Sequence, residues 1–308
     1  MSNKPITGKK IGLALGSGSA RGWAHIGVIE ALGQLGIKPH YIAGTSMGAL
    51  VGAFYAAGKL GALKNLSLTL DWKQIVSFLD VVLPKAGLID GQKITDFIRS
   101  NVGDIKIEDL EIPLGCVATD LSTAGEVVIL SGDMIEAVRS SISLPGIFTP
   151  VSRNGQLLVD GGLVNPVPVS VLKQMGAEYI IAVDLNHDIS SRRVIEVPKK
   201  EEPQAAPQEA DGEDTLWRRL GREISEMQIP LPAQFSKWFT DDNLPSIFEV
   251  MMKSLDILEI QVAAARLRLD PPDVLIRPSL GHMRLIEFDR AQEAIDAGYS
   301  ETMKTIKA

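Results

Sequence analysis

Twice near its start the chain runs an apolar strand straight into a glycine turn and then into a helix. Ile11–Leu15 leads into Gly16-Ser17-Gly18-Ser19-Ala20-Arg21-Gly22, and Tyr41–Ala43 leads into Gly44-Thr45-Ser46-Met47-Gly48. Strand, tight turn and helix in immediate succession, and repeated, make a parallel sheet covered by crossover helices. The alternation continues along the chain. Leu114–Thr119, Glu126–Leu130, Leu157–Val159, Tyr179–Leu185 and Val274–Ile276 read as strands, and Gln92–Asn101, Met134–Ser141, Val169–Met175, Ile247–Leu267 and Phe288–Lys304 as helices. In the first helix, Gly22–Leu35, the residues Ala24, Val28, Leu32 and Leu35 recur at helical spacing and form one face to bury. The expected fold class is α/β with a mainly parallel central sheet.

The first turn is not a dinucleotide cradle. That fingerprint needs a third glycine where Arg21 stands and an acid at the end of the second strand, where Gly44-Thr45-Ser46 stands instead. A phosphate loop would need Lys followed by Ser or Thr, which is missing as well. What remains is a glycine turn at a helix N-terminus, whose free N–H groups favour negative charge of any origin, including one that exists only during a reaction. The second turn is G-x-S-x-G between a strand and a helix. Its glycines remove the Cβ atoms that would clash round a sharp reversal, which pushes the Ser46 hydroxyl outward as a nucleophile. Gly48, Gly52 and Ala56 give the following helix a thin face that can lie close to the sheet.

Partners for that serine are less legible. "LVDGGLV" around Asp160 reads from the residues alone either as a hairpin turn or as an acid at a strand end. An ordinary α/β-hydrolase builds several strands before its nucleophile and keeps a histidine base, whereas Ser46 follows two strands. Of the histidines, His25 falls in a helix and His40 before a strand, while His187 and His282 flank loops after Asp160 and stay open as bases.

Composition narrows the classes. The chain has 308 residues, 45% hydrophobic and 22% charged, which suits a soluble globular protein with one main core. Its net charge of −7 argues against nucleic acid as a bulk partner. Cys116 is a lone cysteine in an apolar strand and reads as a buried thiol. No spacing of His, Cys or carboxylates suggests a metal, and no cofactor is expected. The opening "MSNKPITGKK" leads into too short an apolar run for a signal peptide, so a cytoplasmic protein is expected. Three parts are expected: a core at 9–188, a mobile acidic and proline-rich excursion at 189–214, and a C-terminal segment at 215–308 that packs back on the core. Within the last, Leu216, Leu220, Ile224 and Met227 stripe an amphipathic helix flanked by Arg218, Arg219 and Arg222, with Trp217, Trp238 and Phe239 nearby. The stretch 215–239 is either a helix covering the core or a subunit, or a lid that meets anionic membrane peripherally, at the inner membrane face.

The ordered motifs "LGSGSARGWAHIGVIEAL", "GTSMG", "RSSISLPGIF" and "LVDGGLVNPVPV" resemble the bacterial patatin-like phospholipase family, near its RssA-like group. The resemblance covers about Ile11 to Asp188, and more weakly about Pro245 to the end. It implies a three-layer α/β/α fold with a Ser-Asp dyad: Ser46 as nucleophile, Asp160 as its base without histidine, and an oxyanion hole from the amides of Gly18 and Ser19. Gly16, Arg21, Gly22, Gly44, Gly48, Gly161 and Gly162 then support the motifs. In this chain the usual run of glycines is broken by Ser17 and Ser19. Arg139 to Gly146, a helix end and proline turn, is expected to buttress the site. The implied activity is hydrolysis of acyl esters, with phospholipid or lysophospholipid as substrate. The alternative, of another class, is a regulatory or adaptor protein that keeps the fold to bind a partner or lipid; the sequence leaves oligomeric state open.

Overall fold

The computed structural model describes residues 8–70, 90–188 and 247–307. Met1–Arg193 together with Leu255–Ala308 form one compact unit, and Val194–Ser254 a second, of which the described part is the start of one helix. The expected excursion at 189–214 and the amphipathic stretch 215–239 lie outside the described residues.

In chain order the strands are β1 (Ile11–Leu15), β2 (Tyr41–Thr45), β3 (Leu114–Asp120), β4 (Gly125–Ile129), β5 (Val151–Arg153), β6 (Gln156–Asp160), β7 (Tyr179–Val183) and β8 (Val274–Ile276). The helices are α1 (Ala24–Gln34), α2 (Met47–Ala56), α3 (Leu60–Thr69), α4 (Gln92–Val102), α5 (Met134–Ser141), α6 (Val169–Gln174), α7 (Ile247–Leu269) and α8 (Ala291–Lys307). The strands form one mixed sheet, ordered β5-β6-β3-β2-β1-β7-β8, with β4 on β3. The stretch from β3 through β2, β1 and β7 to β8 is parallel throughout.

Alternation along the buried strands supplies two cores. Leu13, Leu15, Ile42, Cys116, Ile181 and Val183 point to the face covered by α1, α2 and α5. Ala14, Ala43, Val117, Ile180 and Ala182 point to the other, with Val169, Val171 and Leu172 of α6 and Ala263 and Leu267 of α7. Because successive strand side chains face opposite ways, a sheet that is apolar on every residue has to be covered on both sides. The result is the expected three-layer α/β/α arrangement. Cys116 is fully buried, and burial pushes its thiol up to about 12, so it is a packing residue.

The parallel sheet carries an antiparallel arm that positions the site. β3 pairs with β2 over Leu114–Val117 and with β4 over Cys116–Asp120, so these two neighbours lie on opposite edges. β6 pairs with Ala118–Asp120, a stretch whose other edge β4 already fills. β6 therefore continues the edge that β2 leaves. The last residue of β2, Thr45, stands beside Val117, and the last of β6, Asp160, stands beside Ala118. Two strands thus meet end to end with their C-termini facing.

Some elements differ from the sequence expectation. The helix expected from Gly22 begins as a 3₁₀ turn at Ser19–Trp23, and the one expected from Phe288 begins as a 3₁₀ turn at Phe288–Arg290. α3 and β5 carry too weak a periodicity to be read in advance. Asp160-Gly161 is not a hairpin turn: the hairpin lies earlier, between β5 and β6, where Asn154 and Gly155 both have positive φ. Among the described residues no helix is long and apolar enough to cross a membrane.

The C-terminal helix is seated by glycine. A Cβ on Gly27 of α1 would fall 1.9 Å from the Ile295 carbonyl oxygen of α8, and one on Gly298 would fall 2.1 Å from the Ala24 oxygen. Gly27→Ala must therefore push two backbones apart and is expected to cost about 3 kcal/mol or more. Gly33→Ala, in the same helix with nothing near its added carbon, should be neutral or stabilise by up to about 1 kcal/mol. Urea denaturation of the two variants beside the parent protein checks the contrast.

Candidate active site

The site assembles where β2 and β6 meet. Ser46 follows β2 at φ 57° and ψ −124°, outside the regions that L residues favour, and α2 starts at the next residue. Such a backbone costs about 1–3 kcal/mol and persists only where the surroundings enforce it. The enforcement is visible in the glycines. A Cβ on Gly44 would meet the Ala49 Cα at 2.5 Å, and one on Gly48 would meet the Leu15 carbonyl oxygen at 2.0 Å. Gly22 of the first turn has Met47 Cβ 2.4 Å from the position its own Cβ would take, so the two glycine motifs interlock.

The Ser46 hydroxyl donates to Asp160 Oδ2 at 2.6 Å. Asp160 is 1% exposed, and the Gly162 amide donates to its other oxygen at 2.8 Å. Gly161 lets the turn after β6 lie against β3, since a Cβ there would fall 2.3 Å from the Val117 oxygen. Burial raises the Asp160 carboxyl to about 6, while the hydrogen bonds from Ser46 and Gly162 pull the other way. This carboxylate is consequently a stronger proton acceptor than an ordinary aspartate and is still largely ionised at neutral pH.

The α5 end and its proline turn buttress both residues. Ser141 Oγ accepts the Ser46 amide at 2.9 Å and donates to the Val117 oxygen at 2.6 Å, while the Asp160 amide donates to the Ser143 oxygen at 3.0 Å. Arg139 points away from the pair: its guanidinium reaches Ser143 Oγ and the carbonyls of Asp90 and Thr149, and lies 5.1 Å over the Phe148 ring.

The first glycine turn is pinned on either side of Gly18 and Ser19. The amides of Gly16, Ser17 and Ala20 donate to Val183, Pro166 and Leu285, whereas among the described residues neither the Gly18 nor the Ser19 amide has an acceptor. Arg21, 1% exposed, donates through Nε to the Gly18 carbonyl at 3.3 Å, as does its amide at 3.1 Å. In a trans peptide the carbonyl and the following N–H point opposite ways, so drawing the Gly18 oxygen towards Arg21 turns the Ser19 N–H away from it. Ser19 adopts φ 48°, and its hydroxyl is turned out to the Leu285 carbonyl at 2.6 Å. The serine that replaces a glycine here thus bonds to the C-terminal segment. A serine hydroxyl held on a carboxylate that burial has made more basic is an arrangement suited to nucleophilic attack.

Among the described residues no histidine hydrogen-bonds to Ser46 or Asp160. His25 is buried, holds the Gly16 carbonyl at 2.8 Å through Nε2 and is pushed down to about 4 by burial, so it is a neutral support of the loop. His282 pairs with Glu293 at 2.5 Å. Two groups, Glu259 and Asn186, carry no signal in the sequence. Glu259 of α7 accepts from Ser17 Oγ at 2.7 Å and from Asn186 Nδ2 at 3.0 Å, beside Gly162. Nothing in the sequence near Glu259 marks it, because its partners are far away along the chain.

An α/β sheet with a serine at a strained strand-to-helix turn, paired with a buried aspartate, belongs to a recognisable class of folds. The patatin-like phospholipase profile matches residues 13–173. An uncharacterised NTE family protein of Mycobacterium tuberculosis is 33% identical over 331 aligned positions, covering 97% of this chain and 92% of that protein. The lysophospholipase NTE1 of Pyricularia oryzae is 30% identical, and the mouse patatin-like phospholipase domain-containing protein 6 is 28% identical, each over 96% of this chain. Those two are much longer, and the match spans 18% and 20% of them. The chain belongs to the patatin-like phospholipase family.

Ser141 can be tested apart from any activity. Ser141→Ala leaves the Ser46 amide and the Val117 carbonyl without their buried partner and is expected to cost about 2 kcal/mol or more. Ser140 is equally buried, but its hydroxyl only folds back on the Glu136 carbonyl of its own helix; Ser140→Ala should cost less than about 1 kcal/mol. Equal losses on denaturation would show that the bridge to Ser46 is not special.

Proposed function

We propose that this protein hydrolyses fatty-acyl esters, with phospholipid or lysophospholipid as the substrate class. The observation that carries the reading is the 2.6 Å hydrogen bond from the Ser46 hydroxyl to Asp160, made at a strained turn that interlocks with the first glycine turn. The lipid class is supported by the family and by the names of the fungal and mouse relatives.

In this reading Ser46 Oγ attacks the ester carbonyl as its proton passes to Asp160, and the amides of Gly18 and Ser19 hold the oxyanion. Each such donor contributes about 3 to 4 kcal/mol in comparable sites. The C–O bond to the alcohol then breaks, and the proton on Asp160 goes to the departing oxygen. Water attacks the acyl-serine in turn and gives a proton to Asp160, which passes it to Ser46 Oγ as the fatty acid leaves. No metal or organic cofactor takes part in these steps.

Ser46→Ala is expected to abolish hydrolysis of p-nitrophenyl butyrate and labelling by a fluorophosphonate while the protein stays folded. Asp160→Asn keeps the shape but loses the base, and kcat should fall about a hundredfold or more. A protein that only binds a partner through this fold would show neither activity nor labelling.

The pH profile gives a separate check. A base must be unprotonated, so kcat/KM should fall as pH drops through about 6, the value to which burial raises Asp160. A flat profile down to pH 4.5 would deny Asp160 that role.

A further inference from the structure

Beside the Ser46–Asp160 pair lies a carboxyl group that the proposed mechanism does not use. Glu259 reaches in from α7, partly buried, bonded to the glycine turn and lying beside the aspartate turn. On one side it accepts from Ser17 Oγ at 2.7 Å, and Asn186 Nδ2 bridges the same pair at 3.0 Å to Glu259 and 3.3 Å to Ser17. On the other side its Oε1 presses on Gly162, 2.6 Å from where a Cβ would stand, and Asp160 Oδ1 is 3.1 Å from that same point. Ser17 immediately precedes the two amides without acceptors, and Gly162 is the residue whose amide holds Asp160. One carboxyl group therefore spans the glycine turn and the aspartate turn, which no strand pairing connects directly.

We propose that Glu259 is a positioning residue for the proposed esterase reaction: its carboxyl ties the turn bearing the Gly18 and Ser19 amides to the turn bearing Asp160, and so sets the distance between oxyanion donors and base. The proposal rests on the esterase reading above. The serine at position 17, where the family's run of glycines is broken, is then the hydroxyl that receives this tie.

Charge decides whether the tie helps or harms. The charged groups around Glu259 are Asp160 at the end of β6, Asp256 one turn back on its own helix and Arg21 in the glycine turn, which pairs with Asp256 at 3.5 Å; Asp188 also faces Arg21. Burial first, and then the Asp160 and Asp256 carboxylates, push Glu259 up to about 8, against the Ser17 hydrogen bond and Arg21. Two carboxyl groups this close oppose each other's ionisation, and burial raises Glu259 the more strongly of the two, which favours its neutral form at neutral pH. Above about pH 8 it becomes a second anion next to the place where the oxyanion must form, and it then opposes the transition state. An alkaline loss of rate follows, distinct from the acid limb that belongs to Asp160.

The test compares kcat, KM and fluorophosphonate labelling rates between pH 5 and 10 for the wild type, Glu259→Gln, Glu259→Ala and Ser17→Ala. Glutamine keeps the size and the acceptor but cannot ionise. Glu259→Gln should therefore hold a neutral-pH kcat within about threefold of wild type and lose the fall above pH 8. Glu259→Ala and Ser17→Ala should lower kcat about tenfold and about fivefold, with KM for p-nitrophenyl butyrate within about twofold, because the reacting groups move while the acyl pocket does not. Should Glu259→Ala fail to fold, Glu259→Gln and Ser17→Ala still decide. An alkaline limb unchanged in Glu259→Gln, or a wild-type kcat in both alanine variants, overturns the positioning role and leaves the esterase reading standing. A wild type that neither hydrolyses the ester nor takes the label overturns the esterase reading first, and the positioning role with it.

Discussion

Everything about the site depends on two strands sharing one edge of β3. A β-strand offers its hydrogen-bonding groups to each side in a fixed register, so whatever pairs with Val117 and whatever pairs with Ala118 are neighbours by geometry. β2 ends at the first and β6 at the second, one parallel and one antiparallel to β3. Two C-termini are driven together, and the residue after one and the last residue of the other are Ser46 and Asp160. No flexible loop has to find its partner, because the backbone ladders already set the approach of hydroxyl to carboxylate. The antiparallel arm is therefore more than a decoration on a parallel sheet. In a wholly parallel sheet the strand C-termini lie side by side, whereas here two of them abut end to end along one edge of β3.

That arrangement places a carboxylate where water does not reach, and a buried carboxylate is costly unless it is hydrogen-bonded. Asp160 has two partners, Ser46 and Gly162, and burial still raises it to about 6. Further donors on the same oxygens would stabilise the carboxylate and make it a weaker proton acceptor. Under-solvation of Asp160 thus makes it more basic, at an expense in stability that the two apolar cores must cover. The same economy explains the neutral groups around it. His25 is pushed down and Glu259 up, which favours Asp160 as the one anion among these three at neutral pH.

Much of this was legible in the sequence, and what was not has a common cause. The glycine turns, the parallel strands and the thin face of α2 are local patterns, set by φ, by Cβ clashes and by alternation within a few residues. Ser46 announces itself because its turn, its strand and its helix are contiguous. Asp160 was ambiguous for the opposite reason. Asp-Gly favours a turn in any context, and only the pairing of β6 with β3, forty residues away in sequence, makes it the end of a strand. The antiparallel sense of β4 and β6 could not be read either, since an apolar run carries no mark of its neighbour's direction. Glu259 and Asn186 are polar residues whose meaning lies wholly in contacts across the chain.

The C-terminal part of the chain, which carries none of the strong motifs, is for that reason not an appendage. Its Leu285 carbonyl takes both the Ala20 amide and the Ser19 hydroxyl, its Phe288 carbonyl takes the Trp23 indole, and β8 extends the sheet beyond β7. Ser19 would have little reason to hold a left-handed backbone without that hydroxyl acceptor, and its free amide depends on that backbone. The glycine turn is short and irregular, so it cannot satisfy its own polar groups as a helix or a strand does. It borrows acceptors from residues more than 260 positions later, and in doing so links the shape of the glycine turn to the closure of the fold. Among the described residues two amides of this turn are left without acceptors while the groups on either side of them are paired, before them by Val183 and Pro166 and after them by Leu285 of the last segment.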